Sequence, residues 1–160
     1  MQTHNRTRGG SFRLAGSQRG AAAVEFAIIC SLLFMIVFGI IEFSIILYDK
    51  AVLTNASREG ARAGIVFEKD RNLTSVTARV NEAVARYAPN LINFGGTASI
   101  SSNVVIGGGP TGPSATAGQP LTVSLAYTYN FLIFPDLSNL FGGSFSTDLT
   151  LQSQTVMRME

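Results

Sequence analysis

The chain has 160 residues, 46% of them hydrophobic and only 14% charged, with a formal net charge of +2. That length holds one modest domain rather than two. Arg6, Arg8, Arg13 and Arg19 account for the positive charge, and residues 21–160 carry eight basic and ten acidic side chains, net −2, which removes the basis for a nucleic-acid-binding surface.

Residues 1–20 are polar, basic and free of acids, with no hydrophobic period, and read as a leader. From Phe26 to Ile41 the chain runs FAIICSLLFMIVFGII, with Cys30 the only ionisable side chain. Extended to Glu25 and Tyr48, the apolar segment has 24 residues. At about 1.5 Å per residue it covers roughly 36 Å, enough to cross a hydrocarbon core of about 30 Å. Positive charge resists translocation, so the arginine-rich end is expected in the cytoplasm and residues 49–160 outside, in a single pass. The run exceeds the 7–15 residues typical of a secretory signal core, and the only nearby Ala-x-Ala, Ala61-Arg62-Ala63, lies about twenty residues beyond it. An ordinary cleaved signal is therefore not expected. Cys30 is the only cysteine, so the exported part must hold together by packing without a disulfide.

Nothing from Ala21 to Val66 breaks a helix: the stretch contains no proline and only single glycines. Beyond the membrane it becomes amphipathic, with Val52, Leu53, Ala56, Gly60, Ala63 and Gly64 along one face and Arg58, Glu59 and Arg62 towards the other. Asp70 and Asn72 offer capping oxygens for a second helix from about Leu73 to Ala88, with Leu73, Val76, Val80, Val84 and Tyr87 at intervals of three and four and Pro89 as its stop. Three strands follow. Ala98, Ile100, Val104 and Ile106 alternate imperfectly; Leu121, Val123, Leu125, Tyr127, Tyr129 and Phe131 alternate strictly; a third run begins at Leu149 and ends near Met157. Residues 107–120 read as a glycine- and proline-rich loop. The segment 131–145 crowds Phe131, Leu132, Ile133, Phe134, Leu137, Leu140, Phe141 and Phe145 around one charge, Asp136. A strand buries only alternate side chains, so either one face of this segment stays exposed as a contact surface or the chain folds over at Pro135. The expected fold class is α+β: a long N-terminal transmembrane helix continuing into a small domain with a second helix and a three-stranded antiparallel sheet. The expected division is 1–20 leader, 21–48 transmembrane helix, 49–66 continuation of the helix outside, and 67–160 outer domain.

The stretch Arg19-Gly20-Ala21-Ala22-Ala23-Val24-Glu25-Phe26 resembles the processing site of type IV prepilins, most of all the tight-adherence (Flp) branch. Gly9, Gly10 and Gly16 lack a glutamate five places on; only Gly20 fits. The resemblance extends through Ile41-Glu42-Phe43 and the run Leu53-Thr-Asn-Ala-Ser-Arg-Glu-Gly-Ala-Arg-Ala-Gly64 to the TadE-like family of pilus-assembly pseudopilins, and covers the first 66 residues best. It implies a pilin-like architecture and cleavage between Gly20 and Ala21 by a prepilin peptidase. It also implies recognition through Glu25 and Phe26, fifth and sixth in the mature chain, and a place in the bacterial inner membrane among other pilins, pseudopilins and pilus-assembly proteins. In pilins this glutamate pairs with the free amine of a neighbouring subunit, which offsets the cost of a carboxylate at the membrane edge. The plainer reading of Glu25 is a side chain snorkelling to the headgroups.

Glu42 lies about 25 Å further along the helix, beside Tyr48 and Asp49. An exposed interfacial carboxylate accounts for it; a role in subunit contact is the second reading. The small stripe Ala56, Gly60, Gly64 is expected to seat the chain's own sheet rather than another pseudopilin helix, because it lies outside the bilayer. Enzymatic chemistry has little material: His4, the only histidine, is in the leader, and no cluster offers a metal site, a phosphate cradle or a base for the serines. No cofactor is expected. The competing reading is a permanently anchored, unprocessed extracytoplasmic binding module, for which Gly20 and Glu25 would be incidental.

Overall fold

With no proline before Pro89, residues 17–65 can keep every backbone hydrogen bond within one helix. The computed structural model describes residues 17–66, 72–94, 98–107, 116–132 and 148–160. In it α1 spans Ser17–Ile65, α2 Leu73–Ala85, a 3-10 turn Ala88–Asn90, and three strands follow: β1 Ile100–Ile106, β2 Pro120–Asn130 and β3 Asp148–Arg158. The expected α+β order is borne out: a long apolar helix, a second helix and one antiparallel sheet. Residues 1–16, the interior of the 107–120 loop and residues 133–147 of the phenylalanine-rich segment lie outside the described residues.

Two units make up the chain, Met1–Val37 and Phe38–Glu160. In the first, the described side chains of α1 are almost all exposed, with Val24, Phe26, Ile28, Leu32 and Phe34 each more than half so. Ser31 donates to the Ala27 carbonyl at 2.7 Å, and Ser44, in the second unit, donates to Ile40 at the same distance. Each serine hydroxyl is thus satisfied within the helix, the condition for tolerating it in an apolar environment.

The second unit is two-layered. Its sheet has the order β1-β2-β3, with Ile100 opposite Tyr127 on one side and Leu121 opposite Met157 on the other. The strict alternation of β2 buries Leu121, Val123, Leu125, Tyr127 and Tyr129 on one face. They pack with Leu53, Ala56 and Ala61 of α1 and Val76, Val80 and Val84 of α2. Burying each of the larger aliphatic side chains stabilises the fold by about 1.5–3 kcal/mol relative to exposure.

α2 begins where the capping oxygen was expected. Asn72 accepts from the Ser75 N–H at 2.8 Å, and Ser75 Oγ accepts from the Asn72 N–H at 3.1 Å, closing a reciprocal cap. The helix ends at Ala85, earlier than the Ala88 expected from its period, and Tyr87 N–H bonds back to the Val84 carbonyl. Pro89 sits in the following 3-10 turn instead of terminating the helix directly. β2 stops at Asn130. Phe131 is half-buried with its ring edge-on to Tyr129, centroids 5.6 Å apart, while Leu132 is exposed.

The small stripe seats the expected sheet at Gly64 but chiefly α2 at Gly60. A Cβ on Gly60 would stand 3.0 Å from Val84 and 3.2 Å from Val80; one on Gly64 would stand 2.5 Å from Leu121 and 3.0 Å from Val80. Both glycines therefore mark where α2 and β2 come down onto α1, and no space remains there for a helix of another subunit.

Candidate functional site

Gly20, Ala21, Glu25 and Phe26 all lie on α1 within the first unit, and all are exposed. A Cβ on Gly20 would meet nothing within 4 Å, so the chain's own fold places no demand for glycine there. Phe26 is 70% exposed and one turn from Ala22. α1 from Gly20 to Ile65 is the one helix among the described residues long and apolar enough to cross a membrane.

Glu42 departs from the sequence expectation. It is not an exposed interfacial carboxylate but is 2% exposed, and it belongs to the second unit together with its partners. Tyr129 Oη donates to Glu42 Oε1 at 2.8 Å, and the Leu132 N–H donates to the same oxygen at 2.9 Å. Two donors aimed at one carboxylate oxygen compensate part of its lost hydration. Burial, followed by the bond to and charge of Glu42, pushes the Tyr129 phenol far above its ordinary range. The hydroxyl therefore stays protonated and remains a donor.

Seven residues on, Asp49 repeats the device. It is fully buried, and its Oδ1 accepts from the Ile92 N–H at 2.9 Å. Tyr127 Oη donates to the Ile92 carbonyl at 3.2 Å, so α1 and β2 grip both sides of one residue. Oδ2 of Asp49 has no hydrogen-bond partner among the described residues. Burial raises the Asp49 carboxyl above the usual carboxylate range, while the Ile92 bond draws it partly back. Ser57 completes the series, its hydroxyl 2.9 Å from Ser153 Oγ and 2.8 Å from Thr155 Oγ1 on β3. Lys50 Nζ donates to the Gln152 carbonyl of the same strand.

The second unit thus contains a column of polar anchors on α1, each holding a different part of the sheet or its flanks. Sequence reading found Glu42 but missed its bond to Tyr129, and missed Asp49 and Ser57 with their partners Ile92, Ser153 and Thr155. A usable signal was present: 42 and 49 are seven apart and fall on the helical face that continues through Leu53, Ala56 and Gly60. Carboxylates on a face that is otherwise buried need partners from the same domain. Among the described residues no group of three or more histidine, cysteine or acidic side chains could hold a metal. Glu25 is exposed in the first unit, and Glu42 is buried in the second.

No curated protein and no solved structure matches the chain. Residues 20–62 match a protein-family model described as TadE-like protein. The match opens on the glycine singled out by its spacing from Glu25, runs through the apolar helix and takes in Glu42, Asp49 and Ser57. Over residues 20–62 the chain is thus similar to TadE-like proteins.

Proposed function

We propose that this protein is a membrane-anchored pseudopilin, or minor pilin, of the tight-adherence (Flp) pilus machinery. It is cut after Gly20 by a prepilin peptidase and takes part in assembly of the fibre. The observation that carries the reading is the TadE-like match beginning at residue 20, where glycine is followed five places on by Glu25. The freedom around Gly20 supports it, because a glycine that the fold does not require is explained by an external reader. The exposed apolar surface of α1 supports a single-pass anchor, with the four leader arginines keeping the N-terminus in the cytoplasm of the inner membrane. The crossing segment is read as 21–48 within the apolar helix.

Glu25 and the new amine of Ala21 are the groups through which the mature helix engages neighbouring pilins and inner-membrane assembly proteins. Glu25→Gln keeps the size and polarity of the side chain and removes its charge. Membrane insertion should stay near normal, since the helix becomes no less apolar. Crosslinking to co-expressed pilus components should fall several-fold; crosslinking at the wild-type level would remove Glu25 from the assembly contact.

A further inference from the structure

The sheet has two edges, β1 and β3, and they are guarded unequally. On β3, Lys50 Nζ donates to the Gln152 carbonyl, and the Ser57 hydroxyl bonds to the side chains of Ser153 and Thr155. Asp148 and Arg158 place a charge at each end of that strand. A lysine on the edge and charged side chains are devices that keep a strand from pairing further. β1 has none of them: from Ile100 to Ile106 it contains no charged residue and no proline.

The register fixes which backbone groups of β1 point outward. Gly107 N–H donates to the Pro120 carbonyl at 2.9 Å, so residues 107 and 120 form a hydrogen-bonded pair. Such pairs alternate along an antiparallel ladder, which makes Val105–Thr122, Asn103–Ser124 and Ser101–Ala126 hydrogen-bonded as well. The N–H and C=O groups of Ile100, Ser102 and Val104 therefore face away from β2, and they have no backbone partner among the described residues. Ile106 has the same direction but is buried. Beside this edge lies a cavity of about 300 Å³, walled by Val84, Ala85 and Ala88 on one side and by Ala98, Ile100 and Ser102 on the other. Its lining has no charged side chain, and Ser102 Oγ donates to Asn81 Oδ1 at 2.5 Å, so its polar groups already serve each other.

We propose that β1 is a docking edge at which an extended segment of a partner protein adds as a fourth strand, with an apolar side chain seated in the cavity between α2 and β1. The outward groups of Ile100, Ser102 and Val104 recur at every second residue, about 7 Å apart, and another extended backbone matches them donor for acceptor. Side chains of the added strand that lie beside Ile100 and Ser102 share their face of the sheet and so enter the cavity. Methyl-lined walls accept a medium-sized apolar side chain there, and a charged one would lose its hydration without gaining a partner. The intervening side chains lie on the outer face beside Ser101 and Asn103, which are exposed and polar. The partner is thus a segment of alternating apolar and polar residues, held by its backbone and chosen by its alternate side chains. The edge belongs wholly to the second unit, so it stands whether or not the leader is cleaved.

The test uses the full chain in detergent, panned against a phage-displayed library of random heptapeptides, with the selected peptide then synthesised. Its sequence should alternate apolar and polar residues. N-methylation of a peptide amide that faces β1 should weaken binding about tenfold, the loss of one hydrogen bond, and methylation one residue along should leave binding nearly unchanged. In hydrogen exchange, the Ser102 and Val104 amides should be fast in the free chain and slow with the peptide bound, while the Asn103 and Val105 amides are protected in both. Ala85→Lys, at an exposed position on the cavity wall, should abolish binding without lowering the melting temperature. No selected peptide, or equal effects of methylation at every amide, would overturn the proposal, as would undiminished binding to Ala85→Lys. Protection of Ser102 and Val104 in the free monomer would show the edge to be closed and overturn it too. Protection that appears with chain concentration alone, alongside a dimer in sedimentation, would make a second copy the occupant and also overturn it.

Discussion

Glu42 and Asp49 are two carboxylates on the buried face of one helix, and their surroundings assign them different energetic roles. Glu42 receives two donors on one oxygen, so the charge-free isostere should serve nearly as well as the acid: in Glu42→Gln the amide oxygen can still accept from Tyr129 and Leu132. Glu42→Ala leaves the Tyr129 hydroxyl and the Leu132 N–H unpaired in the interior and should cost about 2 kcal/mol or more. Chemical denaturation of the detergent-solubilised chain separates the two; equal losses would mean that the charge itself is what the fold needs. Asp49 is the less satisfied group, with one oxygen unpartnered among the described residues and its carboxyl raised by burial. A carboxyl whose folded pKa lies above its unfolded value binds protons more readily in the native state. Its contribution is therefore most favourable at low pH and is lost as pH rises from about 4, the unfolded value, through the folded pKa. Asp49→Asn keeps the acceptor for Ile92 and removes the titration. The variant should match or exceed wild-type stability at pH 7 and lose that relative advantage as pH falls towards 4. A constant difference between the two proteins across that range would show that Asp49 does not titrate with folding.

At the level of elements, much was legible because it depends on local pattern. The strict alternation from Leu121 to Tyr129 yields β2 with its buried face, and Asn72 caps α2 through Ser75. The stripe of Ala56, Gly60 and Gly64 is the place where the domain closes on α1. The end of α2 at Ala85 was not legible, since the break precedes Pro89 and follows how Tyr87 and the 3-10 turn pack. Nor was the burial of Glu42: its partners are 87 and 90 residues away in the chain, and no periodicity in the helix encodes them. The glycines give the sharpest test of the helix-to-sheet seat. Gly64→Ala would place a methyl 2.5 Å from Leu121 Cδ2, and either the leucine or the backbone must move. The substitution should cost about 1–3 kcal/mol despite the better helix propensity of alanine. Gly60→Ala, with its nearest atom at 3.0 Å on a valine methyl, should cost less. Thermal melts of the two variants in one detergent check the order, and an unperturbed Gly64→Ala would place α1 further from β2 than the contacts indicate.

For the whole molecule, one helix is asked to do two jobs, and its sequence divides accordingly. From Ala21 to Ile41 its side chains are mostly apolar and exposed, apart from Glu25, Ser31 and small residues near the start; from Glu42 onward one face carries polar anchors and small residues that hold a two-layer domain. The division explains why the average composition misleads, with an apolar excess that belongs to the first part and a basic charge that belongs to residues 1–20. It also separates what each part would contribute to assembly: Gly20, Ala21 and Glu25 on the apolar helix, and a folded domain from Phe38 onward. The proposed function turns on cleavage after Gly20. The direct measurement is the intact mass of the protein extracted from membranes, with and without the prepilin peptidase, alongside a Gly20→Leu variant. A side chain at residue 20 meets nothing in the chain itself, so the variant should fold normally and report on the peptidase alone. Processing predicts a mass beginning at Ala21 when the peptidase is present, and the full-length mass when it is absent or residue 20 is leucine. A stable membrane form that retains its first residues in the presence of the peptidase would contradict the account.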